Sequence, residues 1–334
     1  MHKMKAGPES IMTLIIRPAI DRRQTRRLMV VLLLLAAFAV PTMPAFAVNL
    51  VRADLLYTIS SAFKEPSDVA VSTGGNIYVV DGVNHRIKIF SATGQPVAEF
   101  GEEGAGNGQF RYPLGIDVDR AGTIYIADSG NSRVQIFRPD STFSAKIALP
   151  PLEGRAADPT DVAVDRSRQR LYVVDNDNHR FLIYDLATLR LIKTVGTRGE
   201  GQLMFRYPFM IALGKQHLLN IVDVLNTRVQ VVSPDGRFVR YIGGWGVEKG
   251  LFFRPKGVAV DRNGKIYVSD SYMGVIQVFD AMGAFHGVIG DAGNNDVKRF
   301  RTPTGLFIDD HNRLYVVEML AQQISVYRIE TGNQ

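Results

Sequence analysis

Short apolar runs alternate with turn-forming residues along most of this chain, and the alternation repeats. The clearest copy, residues 115–149, reads GIDVD, RAG, TIYIAD, SGNSR, VQIFR, PDST and FSAKIAL. Runs of four to six residues rich in Val, Ile, Tyr and Phe, bounded by turn signals, are typical of antiparallel strands. The pattern therefore predicts four short strands in each copy and no amphipathic helix.

The period of this repetition is marked twice in the sequence. An acid follows the second predicted strand of each copy at spacings of 47 or 48 residues, and these acids are Asp81, Asp128, Asp175, Asp223, Asp270 and Glu318. The motif F-x-x-P begins at Phe63, Phe110, Phe205, Phe252 and Phe300, whereas the third copy keeps only Pro159. The chain therefore contains six repeats, which we number 1 to 6 in the order of their acids.

Six such repeats predict one all-β architecture. A four-stranded sheet cannot bury both of its faces alone, but six such sheets packed around a common axis bury the faces of one another. The repeats therefore predict a six-bladed β-propeller of four-stranded antiparallel blades, spanning residues 48–334. Repeat 6 supplies only three strands, while a spare strand, DLLYTIS at 54–60, precedes repeat 1. We therefore expect the N-terminal strand to complete the last blade and to cover its open edge.

The repeated motifs resemble a known family. F-x-x-P, GIDVD, IYIAD and N-x-R-V-Q-I-F are similar to the NHL repeat, and the resemblance runs from Arg52 to Ile329. It implies a six-bladed propeller. NHL-like propellers include protein-binding and RNA-binding modules, ubiquitin ligases with attached zinc domains and peptide-amidating lyases, and similar six-bladed rings serve as lactonases. The fold alone does not choose among these functions.

Residues 1–47 have the pattern of an export signal. A basic n-region (1–27) is followed by an apolar h-region (28–40) and by PTMPAFA, which predicts cleavage after Ala47. The protein is then expected to be periplasmic or extracellular. The alternative is an uncleaved segment that anchors the chain, and this segment is the only predicted contact with a membrane.

The export signal also explains the net charge. It holds seven of the 39 basic and two of the 33 acidic residues, so residues 48–334 carry 32 basic against 31 acidic side chains. The basic excess does not belong to a binding face, and nucleic acid is not an expected partner. The chain has no cysteine, which excludes disulfides, thiolate metal sites and a cysteine nucleophile.

The order of strands assigns each loop to one of two faces. With strands lettered a to d from the axis outward, the d–a loops and b–c turns share one face, which we call the upper face; the a–b and c–d turns share the lower face. An acid and an arginine five residues apart across a tight turn form a charge-assisted pair that stabilises the turn. The predicted structural pairs are Asp81–Arg86, Asp128–Arg133, Asp175–Arg180 and Asp223–Arg228.

The alternative to a binding module is a metal-assisted hydrolase or lyase at the channel mouth, either lactonase-like or similar to the amidating lyases. Five histidines follow residue 47, and they are spread over non-adjacent repeats and both faces, which disfavours a zinc site. Asp68 and Asp161, two positions after their repeat prolines, would hold a divalent cation such as calcium. The simpler interpretation is that they cap their own turns, and no cofactor is then expected.

The function that the sequence favours is an exported, non-catalytic binding or scaffold propeller that presents its upper face to a protein or cell-envelope ligand. Trp245, the only tryptophan, lies in a d–a loop of that face. Asp270 and Glu318 lack the arginine five residues on, so they either take guanidinium groups from Arg254 and Arg301 or form an acidic, partly apolar patch. The residues predicted for this binding site are Trp245, Arg254, Asp270, Tyr272, Arg301, Glu318 and Met319.

Overall fold

The computed structural model describes residues 48–330 of this 334-residue chain. The export signal predicted at 1–47, with its n-region, h-region and cleavage site, lies outside the described residues. Every regular element of the described part is a β-strand or a three-residue 3₁₀ turn. None of these helical turns has the length and apolar character that a membrane span requires. The fold is all-β and propeller-like.

Repeats 1 to 4 each form a separate four-stranded antiparallel sheet whose strands follow one another in sequence. The N-terminal strand β1 is Leu50–Ile59. Repeat 1 contains β2 (Pro66–Val71), β3 (Ile77–Asp81), β4 (Arg86–Phe90) and β5 (Pro96–Phe100). Repeat 2 contains β6 (Pro113–Val118), β7 (Ile124–Asp128), β8 (Arg133–Phe137) and β9 (Phe143–Ala148).

Repeats 3 and 4 have the same layout, separated by a small parallel pair. Repeat 3 contains β10 (Pro159–Asp165), β11 (Arg170–Asp175), β12 (Arg180–Asp185) and β13 (Leu191–Val195). The pair consists of β14 (Thr197–Arg198) and β15 (Met204–Phe205). Repeat 4 contains β16 (Pro208–Leu213), β17 (Leu219–Asp223), β18 (Arg228–Val232) and β19 (Phe238–Ile242).

Repeats 5 and 6 share a nine-stranded sheet because β1 pairs with both of them. Repeat 5 contains β20 (Pro255–Val260), β21 (Ile266–Asp270), β22 (Val275–Phe279) and β23 (Phe285–Asp291), with the short β24 (Asp296–Val297) beside β23. Repeat 6 contains β25 (Pro303–Ile308), β26 (Arg313–Glu318) and β27 (Gln323–Ile329). The 3₁₀ turns are Gly82–Asn84, Ser129–Asn131, Lys215–His217, Val224–Asn226 and Met319–Ala321.

The strand β1 makes two different contacts. Over Ala53–Ile59 it pairs antiparallel with β27, which is the pairing that the sequence predicts for the N-terminal strand. Over Leu50–Ala53 it also pairs in parallel with β23 of repeat 5, which the sequence does not predict. The edge of repeat 6 is thereby covered, as edge strands in stable sheets must be.

The core consists of six apolar clusters, and each lies between two successive repeats. The cluster that joins repeat 6 to repeat 1 packs Tyr315 and Val326 against Val69 and Phe90. First strands of successive repeats are neighbours throughout, and β25 of repeat 6 also contacts β2 of repeat 1. The F-x-x-P phenylalanines are all buried because they fill the space between these sheets, and they are Phe63, Phe110, Phe205, Phe252 and Phe300.

Candidate binding face and central channel

The acid that ends each b strand holds the upper face together. In repeat 2, Asp128 Oδ1 accepts a hydrogen bond from the main-chain N–H of Arg111 at 2.8 Å, and Oδ2 accepts from Arg133 Nε at 2.7 Å and from Asn131 Nδ2 at 2.9 Å. The same carboxylate thus binds the d–a loop that precedes its repeat and the b–c turn that follows it. A buried carboxylate with charged and main-chain donors is strongly stabilised.

The four predicted acid–arginine pairs all lie within hydrogen-bond distance. Their separations are 3.0 Å for Asp81–Arg86, 2.7 Å for Asp128–Arg133, 2.7 Å for Asp175–Arg180 and 3.0 Å for Asp223–Arg228. The arginine also reaches beyond the turn. Arg133 donates to the carbonyl oxygens of Ala105, Gly106 and Gln109, so it holds the Gly-rich d–a loop in place. These contacts join the b–c turn to the d–a loop, and the scaffold role of the pairs stays a prediction.

The two acids without an arginine are buried as well. Asp270 accepts from the main-chain N–H groups of Phe253 and Arg254 at 2.6 and 3.1 Å and from those of its own turn. Glu318 accepts from the main-chain N–H of Arg301, from Gln323 Nε2 at 3.0 Å and from Ser325 Oγ at 2.6 Å.

These contacts correct two predictions made for Asp270 and Glu318. Their side chains have no exposed carboxylate to present, so they do not form an acidic patch for a ligand. Arg254 and Arg301 reach them through main-chain N–H groups and not through guanidinium groups. The longer side chain of Glu318 and the amide of Gln323 replace the aspartate and arginine of the other repeats.

The apolar side chains predicted for the upper face are at its surface. Trp245 is 75% exposed and Tyr272 is 67% exposed, while Met319 is partly exposed in the b–c turn of repeat 6. The Tyr272 ring packs on Phe253 with 4.3 Å between ring centroids. Further exposed apolar side chains of this face were not predicted, and they are Tyr112, Met204, Tyr207, Leu225, Val247 and Leu320.

Histidines of repeats 1 and 3 connect the upper face between repeats. His85 Nδ1 accepts from the main-chain N–H of Tyr112 at 3.0 Å, and the two rings lie 4.7 Å apart. His179 and Tyr207 repeat this arrangement at 3.2 Å and 4.7 Å. Each histidine therefore joins its own repeat to the d–a loop of the next, a contact between repeats that local sequence does not reveal.

Asp68 and Asp161 lie inside the central channel. Asp68 Oδ2 accepts from the main-chain N–H of Ile116 in repeat 2 at 3.0 Å, and Asp161 Oδ2 accepts from that of Ile211 in repeat 4 at 2.8 Å. They therefore link their repeats to the following ones and do not simply cap their own turns. Asp117, which the sequence did not single out, makes the same contact with Val164 at 2.8 Å.

Burial dominates the protonation of these channel carboxylates. It raises the pKa of Asp68 to about 7 and that of Asp117 to about 6, and it raises the pKa of Asp161 well above its usual range. Main-chain hydrogen bonds oppose the shift, and the neighbouring carboxylates add to it. The channel thus holds three acids whose charge is poorly compensated.

The arrangement does not fit the alternative metal site. Each channel carboxylate already accepts a main-chain N–H of the next repeat, and Asp161 also accepts that of Val162 at 2.7 Å. Within residues 48–330, no group of three or more His, Cys, Asp or Glu side chains is placed to hold a metal ion. We base no functional proposal on Asp68 and Asp161 as metal ligands, a role that stays a prediction of the alternative hypothesis.

Comparison with known proteins supports the repeat assignment. A family model of the NHL repeat matches residues 63–90, 110–137, 157–184 and 252–279. The chain therefore contains NHL repeats. Protein brain tumor of Drosophila melanogaster is 30% identical to it over 138 residues, which are 40% of this chain and 12% of that protein. The match therefore covers about an eighth of that protein's length.

Solved structures resemble this NHL-repeat chain in fold. A streptogramin B lyase structure aligns with a TM-score of 0.59 at 14% identity, covering 83% of this chain and 98% of that one. The virginiamycin B lyase of Staphylococcus aureus gives 0.60 at 11%, covering 83% and 100%. XC5397 of Xanthomonas campestris, described as a gluconolactonase, gives 0.62 at 15%, covering 82% and 89%. At these identities the likeness concerns the fold alone.

Proposed function

We propose that this protein is an exported, non-catalytic binding propeller that presents its upper face to a protein of the cell envelope. The observation that carries the proposal is the uneven distribution of exposed apolar side chains. Within the described residues, eight of the fifteen large exposed ones lie in upper-face loops, six lie on outer strands, and Met282 alone lies in a lower-face turn. An apolar and aromatic surface of this kind suits a protein partner.

The strongest anchors are aromatic. Trp245 and Tyr272 are exposed in the d–a loop and b–c turn of repeat 5, and Leu320 is exposed in the b–c turn of repeat 6. Large aromatic side chains contribute most to protein interfaces because they bury much surface at a low entropic cost. The buried acids beneath them, Asp270 and Glu318, keep these turns rigid.

The proposal includes a six-bladed ring closed by β1. It is supported by the cycle of first-strand neighbours from β2 to β25 and back, and by the antiparallel pairing of β1 with β27. The export part of the proposal rests on the basic and apolar pattern of residues 1–47. A ring of this type provides a rigid support for the loops of one face.

A crosslinking capture from native cell envelopes tests the function. The double variant Trp245→Ala/Tyr272→Ala is compared with Met282→Ala, which removes an equally exposed apolar side chain from the lower face. We expect a partner captured by the wild type and by Met282→Ala to be lost, by at least about tenfold, with the double variant. Equal capture by all three proteins would contradict the proposal.

A further inference from the structure

A small cavity occupies the upper mouth of the central channel. Its volume is about 210 Å³, and its walls include Val83, Tyr112, Leu114, Phe209 and Met319. These side chains come from four repeats, so the cavity exists only because the repeats are packed together. Ligand pockets for drug-sized molecules span about 300–1,000 Å³, so this cavity suits a smaller ligand.

One cation lies in this apolar wall. Lys256 follows Pro255 in β20, lines the cavity and places its Nζ 4.1 Å from the centroid of the Phe209 ring. A cation over an aromatic ring is partly stabilised, but the ring does not neutralise it. The four arginines of the b–c turns in repeats 1 to 4 each have a carboxylate partner, so Lys256 differs from them.

Lys256 has no counter-ion among residues 48–330. No carboxylate of this part of the chain lies within ion-pair distance of its Nζ, and Glu65, which also lines the cavity, does not pair with it. Burial, together with the charge of Arg254, lowers the pKa of Lys256. An anion placed in the cavity would stabilise the charged form of Lys256 and so oppose both causes of the lowered pKa.

A second polar group in the wall lacks a partner. Thr304 is buried, lines the cavity, and its Oγ1 has no hydrogen-bond partner in the described structure. Its main-chain carbonyl is already occupied by Ser269 Oγ at 2.9 Å. A buried hydroxyl without a partner is uncommon in folded proteins and is satisfied by a bound water or a ligand oxygen.

We propose that the channel mouth binds a small ligand that carries a carboxylate on an apolar body, with the carboxylate at Lys256 and the body against Leu114, Tyr112 and Met319. This site is inside the ring mouth, and its ligand is separate from the protein partner proposed for the upper face. The proposed ligand site does not depend on that partner, so a negative result in the envelope-capture experiment does not contradict it.

Calorimetric titration of the purified chain with 2-naphthoate and its neutral analogue 2-naphthamide tests this site. We expect the wild type to bind naphthoate at least tenfold more tightly than naphthamide. Lys256→Met is expected to abolish that preference while retaining weak binding of both compounds. Lys256→Arg is expected to keep the preference, because the charge remains.

Lys215→Met, at an exposed lower-face turn, is the matched control and is expected to behave as the wild type. The proposal is overturned if wild-type protein binds the two compounds equally or not at all at millimolar concentration. It is also overturned if Lys256→Met keeps the preference for naphthoate. Thermal unfolding of each variant shows whether the protein is still folded. A variant that unfolds at the wild-type temperature but loses the preference for naphthoate, while Lys256→Arg keeps it, has lost the site and not the fold.

Discussion

The b–c turns and the central channel both bury charged side chains, but they compensate them differently. In the turn of repeat 2, Asp128 is bonded to Arg133, to two side-chain amides and to a main-chain N–H. In the channel, Asp68 has main-chain N–H groups and Lys256 has an aromatic ring, and neither has an ion-pair partner within residues 48–330. The turn charges are therefore neutralised by partners within the fold, whereas the channel charges lack a charged partner in the described residues.

The largest expected effect separates these two regions by stability. Asp128→Ala should lower the free energy of unfolding by about 3–5 kcal/mol, because it leaves Arg133 buried without its carboxylate. Lys256→Met should change it by less than about 1 kcal/mol, because no ion pair is lost. Urea unfolding followed by circular dichroism measures both values. Similar losses of unfolding free energy in the two variants would contradict the claim that the turn charges stabilise the fold more than the channel charges do.

The next effect concerns pH. The pKa of Asp68 rises from 3.8 to about 7 on folding, so its contribution to stability is fully present below about pH 4 and is lost as the pH rises through about 7. Asn resembles the protonated acid. Asp68→Asn should therefore match the wild type most closely near pH 4, and the excess of its unfolding free energy over that of the wild type should grow between pH 5 and pH 8 by on the order of 3 kcal/mol.

Asp140→Asn provides the control for this pH series. Asp140 is exposed in a c–d turn, and hydrogen bonds from Thr142 hold its pKa below the usual range, so its charge does not change between pH 5 and 8. Asp140→Asn should therefore show the same dependence of unfolding free energy on pH as the wild type. A profile for Asp68→Asn parallel to that of the wild type would show that the Asp68 carboxylate is compensated after all.

The smallest expected effect lies within the turns. Arg133 is buried and donates to three loop carbonyls besides Asp128, whereas Arg86 is 26% exposed and pairs with Asp81 and Glu99. Lysine keeps the charge but loses the planar fork of donors. Arg133→Lys should therefore cost about 1 kcal/mol more than Arg86→Lys in thermal unfolding. Equal costs would mean that the loop contacts of Arg133 add no stability.

The periodic parts of this structure are readable from the sequence. Alternating apolar runs predict the strands of each repeat, and the spacing of Asp81, Asp128 and their equivalents predicts one turn in every copy. Both follow from interactions within about fifty residues. The separation of five between Asp128 and Arg133 is short enough that the tight turn alone brings the two side chains together.

Contacts between repeats are not readable in this way. Asp68 bonds to Ile116, His85 to Tyr112, and Lys256 lies over Phe209, each pair joining two different repeats. Such pairs depend on how the sheets pack against one another, and the pattern of residues within one repeat does not predict this packing. Asp270 and Glu318 show the same limit of sequence-based prediction. Because they lack the arginine of the other repeats, the sequence suggests free carboxylates, but main-chain N–H groups of the preceding d–a loop bind both carboxylates.

The double pairing of β1 affects the order in which the molecule is assembled. Ala53 faces Ile329 on one side and Asp291 on the other, so the strand made early in synthesis must wait for strands made near the end. Contacts so distant in sequence form slowly, because a long loop must close first. We therefore expect the joining of repeats 5 and 6 through β1 to be a late step of folding, and the incomplete chain to keep an unpaired strand edge until that step.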